Sequence, residues 1–205
     1  MAYGPALTAD EARRIIGEPE ELARAKITDH ITPAFRRFIA HSPFLAMATC
    51  SADGADCSPR GDHPGFVRVL DERTLAIPDR LGNRLIDSFR NIAENPKVGL
   101  LFLVPGVPET LRVNGRAQLT AAPDVLARLE AEGRVPRLAL LVHVDEAFAH
   151  CGRAVLRSRL WDAESARLAE EVPSMAEMLA DQVRHLGVSA EQVQAEVEAA
   201  NRVLY

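Results

Sequence analysis

Two segments of this sequence carry the residues best suited to hold an anion: Ser58–Phe66 (SPRGDHPGF) and Ile77–Pro96 (IPDRLGNRLIDSFRNIAENP). In the first, Ser58, Arg60 and Asp62 fall at every second position. In an extended strand such residues line one face. A guanidinium is a planar fork that matches two phosphate oxygens, and a hydroxyl adds another donor. The plainer account is a solvated strand end with an Arg–Asp pair, which contributes little. In the second segment, Asn83, Arg84 and Ser88, with Arg90, lie where a turn leads into a helix. The first turn of a helix leaves backbone N–H groups free and carries partial positive charge, which suits phosphate. The plainer account there is a cap by Asn83 with surface arginines. Two arginine-bearing segments on neighbouring elements favour one shared anion.

Other chemistry finds less support. Trp161, the single tryptophan, follows Arg157 and Arg159 and can edge a planar ring or simply pack. His150 and Cys151 are adjacent, so in a strand they point to opposite faces and do not act together. The six histidines are scattered without ligand spacing, and no metal site is expected. No Gly-x-Ser-x-Gly elbow and no placed pair of carboxylates is present. A chain without a strong nucleophile suits a cofactor that brings its own chemistry.

The elements that must position these residues follow from periodicity. Thr8 and Glu11 form a capping box before ADEARRIIG, and Gly17 and Pro19 stop that helix. PEELARAKI reads as a second helix and PAFRRFIAHS as a third, with Phe35, Phe38 and Ile39 on one face. FLAMATCS, GFVRVLD and TLAIPD, separated by turn residues, read as an antiparallel meander. RLIDSFRNIAEN has helical spacing at Leu85, Ile86, Phe89 and Ile92 and closes at Asn95-Pro96. KVGLLFLVPG reads as a strand buried on both faces. ETLRVNGRAQLTA is the next strand, and Asn114-Gly115 inside it predicts a bulge or a close approach. APDVLARLEAEGR reads as a helix ending at Gly133, and RLALLVHVDEAFAHC as a long strand broken near Asp145-Glu146. Residues 163–205 are helical, with a break at HLGVS. Short strands joined by tight turns predict an antiparallel barrel, and no glycine-rich dinucleotide fingerprint or P-loop follows any strand.

The bulk numbers fit this plan. A chain of 205 residues with 47% hydrophobic content holds one core domain, expected over 42–162, with helical extensions over 1–41 and 163–205. A net charge of −5 with no basic stripe argues against wrapping nucleic acid. No run of eighteen apolar residues predicts a membrane span, and the start MAYGPALTADEARRIIG lacks the basic-then-apolar order of a secretory signal. Cys50, Cys57 and Cys151 read as cytosolic thiols, so a cytoplasmic protein is expected.

From Ser42 to about Trp161 the sequence resembles the pyridoxamine 5'-phosphate oxidase-like flavoproteins. The resemblance rests on FLAMATCSADGADCSPRGD, on TLAIPDRLGNRLIDSFRNIAENPKVGLLFLVPG and on TLRVNGRAQL, in that order; HCGRAVLRSRLW is similar to the ending of one bacterial subgroup. It implies an α+β fold, an antiparallel FMN-binding split β-barrel with flanking helices and a helical tail. It further implies a homodimer with FMN at the subunit interface. By position it implies Ser58 and Arg60 on the strand that contacts the flavin and its phosphate. Pro78 and Asp79 end the strand along the ring, and Asn83, Arg84 and Ser88 grasp the phosphate. Arg157 and Trp161 reach the flavin from the carboxy-terminal side, from the other subunit in one arrangement. The family often places an Arg-Lys or Ser-x-Lys pair where this chain has Asn-Arg. The substrate-phosphate residues of the true oxidases are not reproduced by RSRLWD, so the implied activity is an FMN-dependent oxidoreductase acting on an unassigned small redox-active organic molecule, not oxidation of vitamin B6. A flavin- or haem-binding protein without turnover and a relative using the deazaflavin F420 are the alternatives.

Overall fold

Along Phe44–Ser51 every second side chain turns inward, which makes the segment strand β1 and buries Leu45 and Met47 completely. The computed structural model describes residues 4–205. The first three residues of the expected 1–41 extension lie outside the described residues. A tight turn returns the chain as β2 (Gly54–Gly61), antiparallel to β1. A second hairpin joins β3 (Arg68–Val69) to β4 (Thr74–Pro78). Three longer strands follow: β5 (Lys97–Leu103), β6 (Thr110–Thr120) and β7 (Ala139–His150). The spatial order is β2-β1-β5-β6-β7-β4-β3, with every neighbour antiparallel. With its helices this is an α+β antiparallel split β-barrel.

The continuous meander expected over 44–79 is not formed. Its two hairpins stand at opposite edges of the sheet, with β5, β6 and β7 between them. The segment joining them contains Pro64, which has no N–H for a ladder, and Gly65 at φ 79°, so the chain leaves the sheet there. The strand expected over 65–71 shrinks to Arg68–Val69, while Phe66 and Val67 are buried outside it. β5 is not buried on both faces: Val98, Leu100 and Phe102 are buried and the residues between them are not.

Helix α1 (Ala9–Ile16) begins at the expected Thr8–Glu11 capping box, ends at Gly17 and buries none of its residues. Helix α2 (Glu21–Ala25) is shorter than expected. Helix α3 (Pro33–His41), capped by Thr32, buries Ile39 and lays Phe35 and Phe38 against the core. Helix α4 (Asp87–Glu94) starts later than its spacing predicts. Arg84 and Ile86 sit at φ 62° and 55°, which breaks the helical path and leaves Leu85 and Ile86 exposed. Helix α5 (Pro123–Ala127) stops well before Gly133, because Leu129 turns inward to join Leu126, Ala76 and Ala139 in a small second core. Helix α6 (Arg153–Ser158) follows β7. The tail then runs through a 3₁₀ turn (Ala163–Glu170), α7 (Met175–Gln182) and α8 (Ala190–Asn201), with a break at Gly187. Among the described residues, no helix is long and apolar enough to cross a membrane, and the three cysteines are free.

The bulge expected inside β6 is present. Asn114 opposes Glu146 and Gly115 opposes Val144, so Asp145 is the extra residue. A Cβ on Gly115 would stand 2.1 Å from the His143 carbonyl oxygen. Gly115→Ala therefore forces the two central strands apart and is expected to cost about 1–3 kcal/mol. Since 1 kcal/mol moves the midpoint of a chain this size by roughly 2–4 °C, calorimetry should read a clear fall in Tm. Gly99→Ala, whose new methyl meets Asn114 Oδ1 at 3.3 Å, is the milder control. Equal melting of the two variants would refute the close approach as the reason for glycine.

Candidate functional site

The alternation of β2 turns Asp56, Ser58 and Arg60 toward one side, half-buried, and leaves Ala55, Cys57 and Pro59 exposed. Helix α4 packs over this side and contributes Ser88, which is buried. Ser58 Oγ and Ser88 Oγ both donate to Asp56 Oδ2, each at 2.9 Å. Arg60 Nη2 donates to Ser88 Oγ at 3.1 Å, and Arg60 Nη1 to the Pro59 carbonyl at 2.8 Å. Ser58, Arg60 and Ser88 are thus brought together, the first two by the alternation of β2 and the third by α4. Asp56 was missed, although the same every-second-residue rule reaches it one step before Ser58.

Facing them is the end of β4, the strand at the other half of the sheet. Pro78 is buried opposite Ala139, and the Asp79 N–H donates to the Leu138 carbonyl at 3.0 Å. Burial pushes the Asp79 carboxyl up, and the charges of Arg60 and Arg80 only partly offset this. Burial likewise lowers the Arg60 guanidinium, opposed by Asp79 and Asp56. Asp79 therefore lies within electrostatic reach of both guanidinium groups. The site is a seam where β2 from one edge of the sheet meets the end of β4 from the other, with α4 over it.

Asp62 does not complete the Ser58–Arg60 face. It lies just past β2 and pairs with Arg80 instead. Arg80 Nε donates to Asp62 Oδ2 at 2.6 Å, Arg80 Nη2 donates to the Leu129 carbonyl at 2.8 Å, and the His63 N–H donates to Asp62 Oδ1 at 2.6 Å. The Asp62 side chain is 2% exposed and that of Arg80 16%. Arg80 was also missed; its only signal was its place directly after Pro78-Asp79.

Asn83 does not cap α4. Its Oδ1 accepts from the Leu85 N–H at 3.1 Å within the preceding loop, and the cap position is taken by Ile86, which offers no side-chain acceptor. The first-turn N–H groups of α4 are left without a side-chain cap. Arg84 is exposed on this loop, and among the described residues it forms no hydrogen bond or ion pair. Arg90 pairs with Asp87. At the end of the barrel Trp161 Nε1 donates to the Val107 carbonyl at 2.9 Å, and Arg157 is exposed on α6. Among the described residues no hydrogen bond or ion pair joins Arg157 or Trp161 to the seam.

The donors fit a phosphate in kind. Arg60 uses two of its five N–H donors, two hydroxyls stand beside it, and the α4 terminus is uncapped. Asp56 opposes that fit, since its carboxylate already takes both hydroxyls. Among the described residues no cluster of His, Cys, Asp and Glu could hold a metal ion.

Residues 31–151 match the family model described as pyridoxamine 5'-phosphate oxidase. No curated protein matches the chain. Among solved structures, HupZ of Group A Streptococcus is 19% identical, covering 58% of this chain and 93% of that one with a TM-score of 0.48. A candidate pyridoxamine 5'-phosphate oxidase from Lactobacillus delbrueckii is 22% identical, covering 59% and 95%, with a TM-score of 0.46. General Stress Protein 26 of Bacillus anthracis is 14% identical, covering 55% and 88%, with a TM-score of 0.43.

The Asp62–Arg80 pair yields a test that needs no ligand. Burial works against ionising Asp62, but hydrogen bonds from Tyr205, the His63 N–H and Arg80 outweigh it and hold the carboxyl below its ordinary value. A lowered acid adds stability above its unfolded pKa and loses it as pH falls through the folded one. Arg80→Met strands a buried charge and should cost about 3–5 kcal/mol at neutral pH. The deficit should shrink as pH falls through the carboxylate range, where the stranded Asp62 takes a proton. Urea denaturation across that range checks it; a deficit independent of pH would mean that packing, not charge, sets the cost.

Proposed function

This chain belongs to the pyridoxamine 5'-phosphate oxidase family, and from that premise we propose that it is an FMN-dependent oxidoreductase acting, as a homodimer, on a small redox-active organic molecule. The observation that carries the proposal is the seam. A half-buried Arg60 with unused donors stands beside two hydroxyls and an uncapped helix start. In this reading Arg60, Ser58 and Ser88 hold the FMN phosphate, with Arg84 and Asn83 on the adjoining loop supplying further donors. Pro78 and Asp79, fixed to the start of β7, support the ring. Arg157 and Trp161, which do not reach the seam of their own chain, serve the site of a second copy.

Bound FMN supplies hydride or electron transfer at its isoalloxazine ring. The chain's residues bind and orient it. Arg60 remains cationic despite its burial, because Asp56 and Asp79 balance it. Burial raises the Asp79 carboxyl above its ordinary value, and an arriving dianion raises it further, which eases protonation and limits repulsion. For Ser58 and Ser88 to donate to the phosphate, their hydroxyls must leave Asp56 Oδ2.

Purified protein should show the flavin absorption bands and release FMN on heating; a Soret band would favour the haem reading and a released deazaflavin the F420 reading. Arg60→Ala should weaken FMN by about ten- to a hundred-fold, the worth of a charge-assisted hydrogen bond, and riboflavin far less because it has no phosphate. Fluorescence-quenching titrations of both ligands into wild type and variant decide this. Equal losses would put the phosphate elsewhere, and no FMN binding at all would end the proposal.

Members of the family are commonly dimeric, and Leu81, Leu85 and Ile86 form an exposed apolar stretch beside the seam. Light scattering at micromolar concentration should give twice the chain mass. A monomer at that concentration would remove the second copy from the site.

A further inference from the structure

Tyr205, at the far end of the helical tail, reaches back 143 positions to place its hydroxyl on Asp62 Oδ1 as a hydrogen-bond donor. Its ring lies nearly parallel to that of His63, with centroids 6.3 Å apart and planes 11° off. The Arg80 guanidinium carbon stands 5.6 Å from the ring centroid, within cation–π range. Arg134 Nη1 donates to the Tyr205 carbonyl, and His63 Nε2 is 3.0 Å from Glu132 Oε1. These partners belong to the barrel domain: the segment after β2, the end of β4 and the turn after α5. Only the ring comes from the tail.

These barrel residues are set without the ring. Arg80 is fixed by Asp62 and the Leu129 carbonyl, and Asp62 also receives the His63 N–H. The same residues line a cleft of about 170 Å³ that continues inward to Phe66 and Leu129. A buried carboxylate acceptor at one end, a cation facing the ring and an aromatic wall together read three properties of a ligand. They require a donating hydroxyl, an electron-rich face and a flat ring, which is the description of a phenol.

We propose that Asp62, His63 and Arg80 form a binding site for a phenolic ring, which the chain's own Tyr205 occupies as a displaceable strap. A free hydroxyaromatic ligand and the tail compete for it, and because the tail is tethered it competes at high effective concentration. The site does not depend on the flavin reading, although Asp79, in reach of both Arg60 and Arg80, places it next to the seam.

The test titrates p-cresol, with toluene as the ring lacking the hydroxyl, into full-length wild type and Tyr205→Ala, followed by amide NMR. The expected result is that Tyr205→Ala binds p-cresol about ten-fold or more tightly than wild type does, and toluene about ten-fold or more weakly than p-cresol. The shifted amides should include His63 and Arg80. If folded Tyr205→Ala gains no affinity for p-cresol, binds toluene equally well, or shifts amides elsewhere, the proposal is overturned. Should Tyr205→Ala fail to fold, Tyr205→Phe, which keeps the ring but loses the hydroxyl, is read by the same rule: a gain over wild type supports competition for Asp62, and no gain refutes it.

Discussion

The ion pair between Arg80 and Asp62 joins the two ends of the sheet. Asp62 follows β2 and Arg80 follows β4, strands that belong to opposite halves of the seven-strand order. Bringing them within hydrogen-bond distance curls the sheet on itself and creates the seam in which Arg60, Ser58, Ser88 and Asp79 meet. A buried ion pair is a weak source of net stability, because removing two charges from water offsets most of their attraction. Its contribution here is direction. A guanidinium held at once by a carboxylate and the Leu129 carbonyl has one orientation, and the strand end that carries it is fixed with it.

Charge at the seam is nearly balanced. Arg60 and Arg80 face Asp56, Asp62 and Asp79, and the ionisation of Arg60, Asp62 and Asp79 leans on these neighbours. Such a cluster tolerates an arriving anion only where a carboxylate can move or take a proton. Asp62, pulled down, cannot readily take one; Asp79, pushed up, can. The two carboxyls stand near the same Arg80, yet their environments push them apart.

Much of this was legible in the sequence because the signals were local. The Thr8–Glu11 box, the strand at FLAMATCS, the Asn114-Gly115 bulge and the placing of Ser58 and Arg60 on one face each follow from residues a few positions apart. Ser88 joined them because one turn of helix after a loop has a limited reach. What the sequence did not disclose was non-local. The meander was misread because hairpins look alike whether neighbouring or separated; only pairing of β4 with β7 and β1 with β5 decides it. The helix over 84–95 was read too long because hydrophobic spacing at Leu85 and Ile86 says nothing of the left-handed backbone at Arg84 and Ile86. Asp62 was grouped on one face with Ser58 and Arg60 because they lie close in sequence, whereas its partner Arg80 comes from another strand.

The separation of the two hairpins also dictates an order of assembly. β1 with β2, and β3 with β4, close over tight turns and can form early. β4 finds its other neighbour only when β7 exists, since Thr74 pairs with His143 and Pro78 with Ala139. Contacts so distant along the chain are reached late, after the entropy of closing long loops has been overcome. A ribosome-bound chain that has emerged only as far as β6 has both hairpins in hand but no strand to unite them. The edges cannot meet, and the seam closes only once β7 is in place.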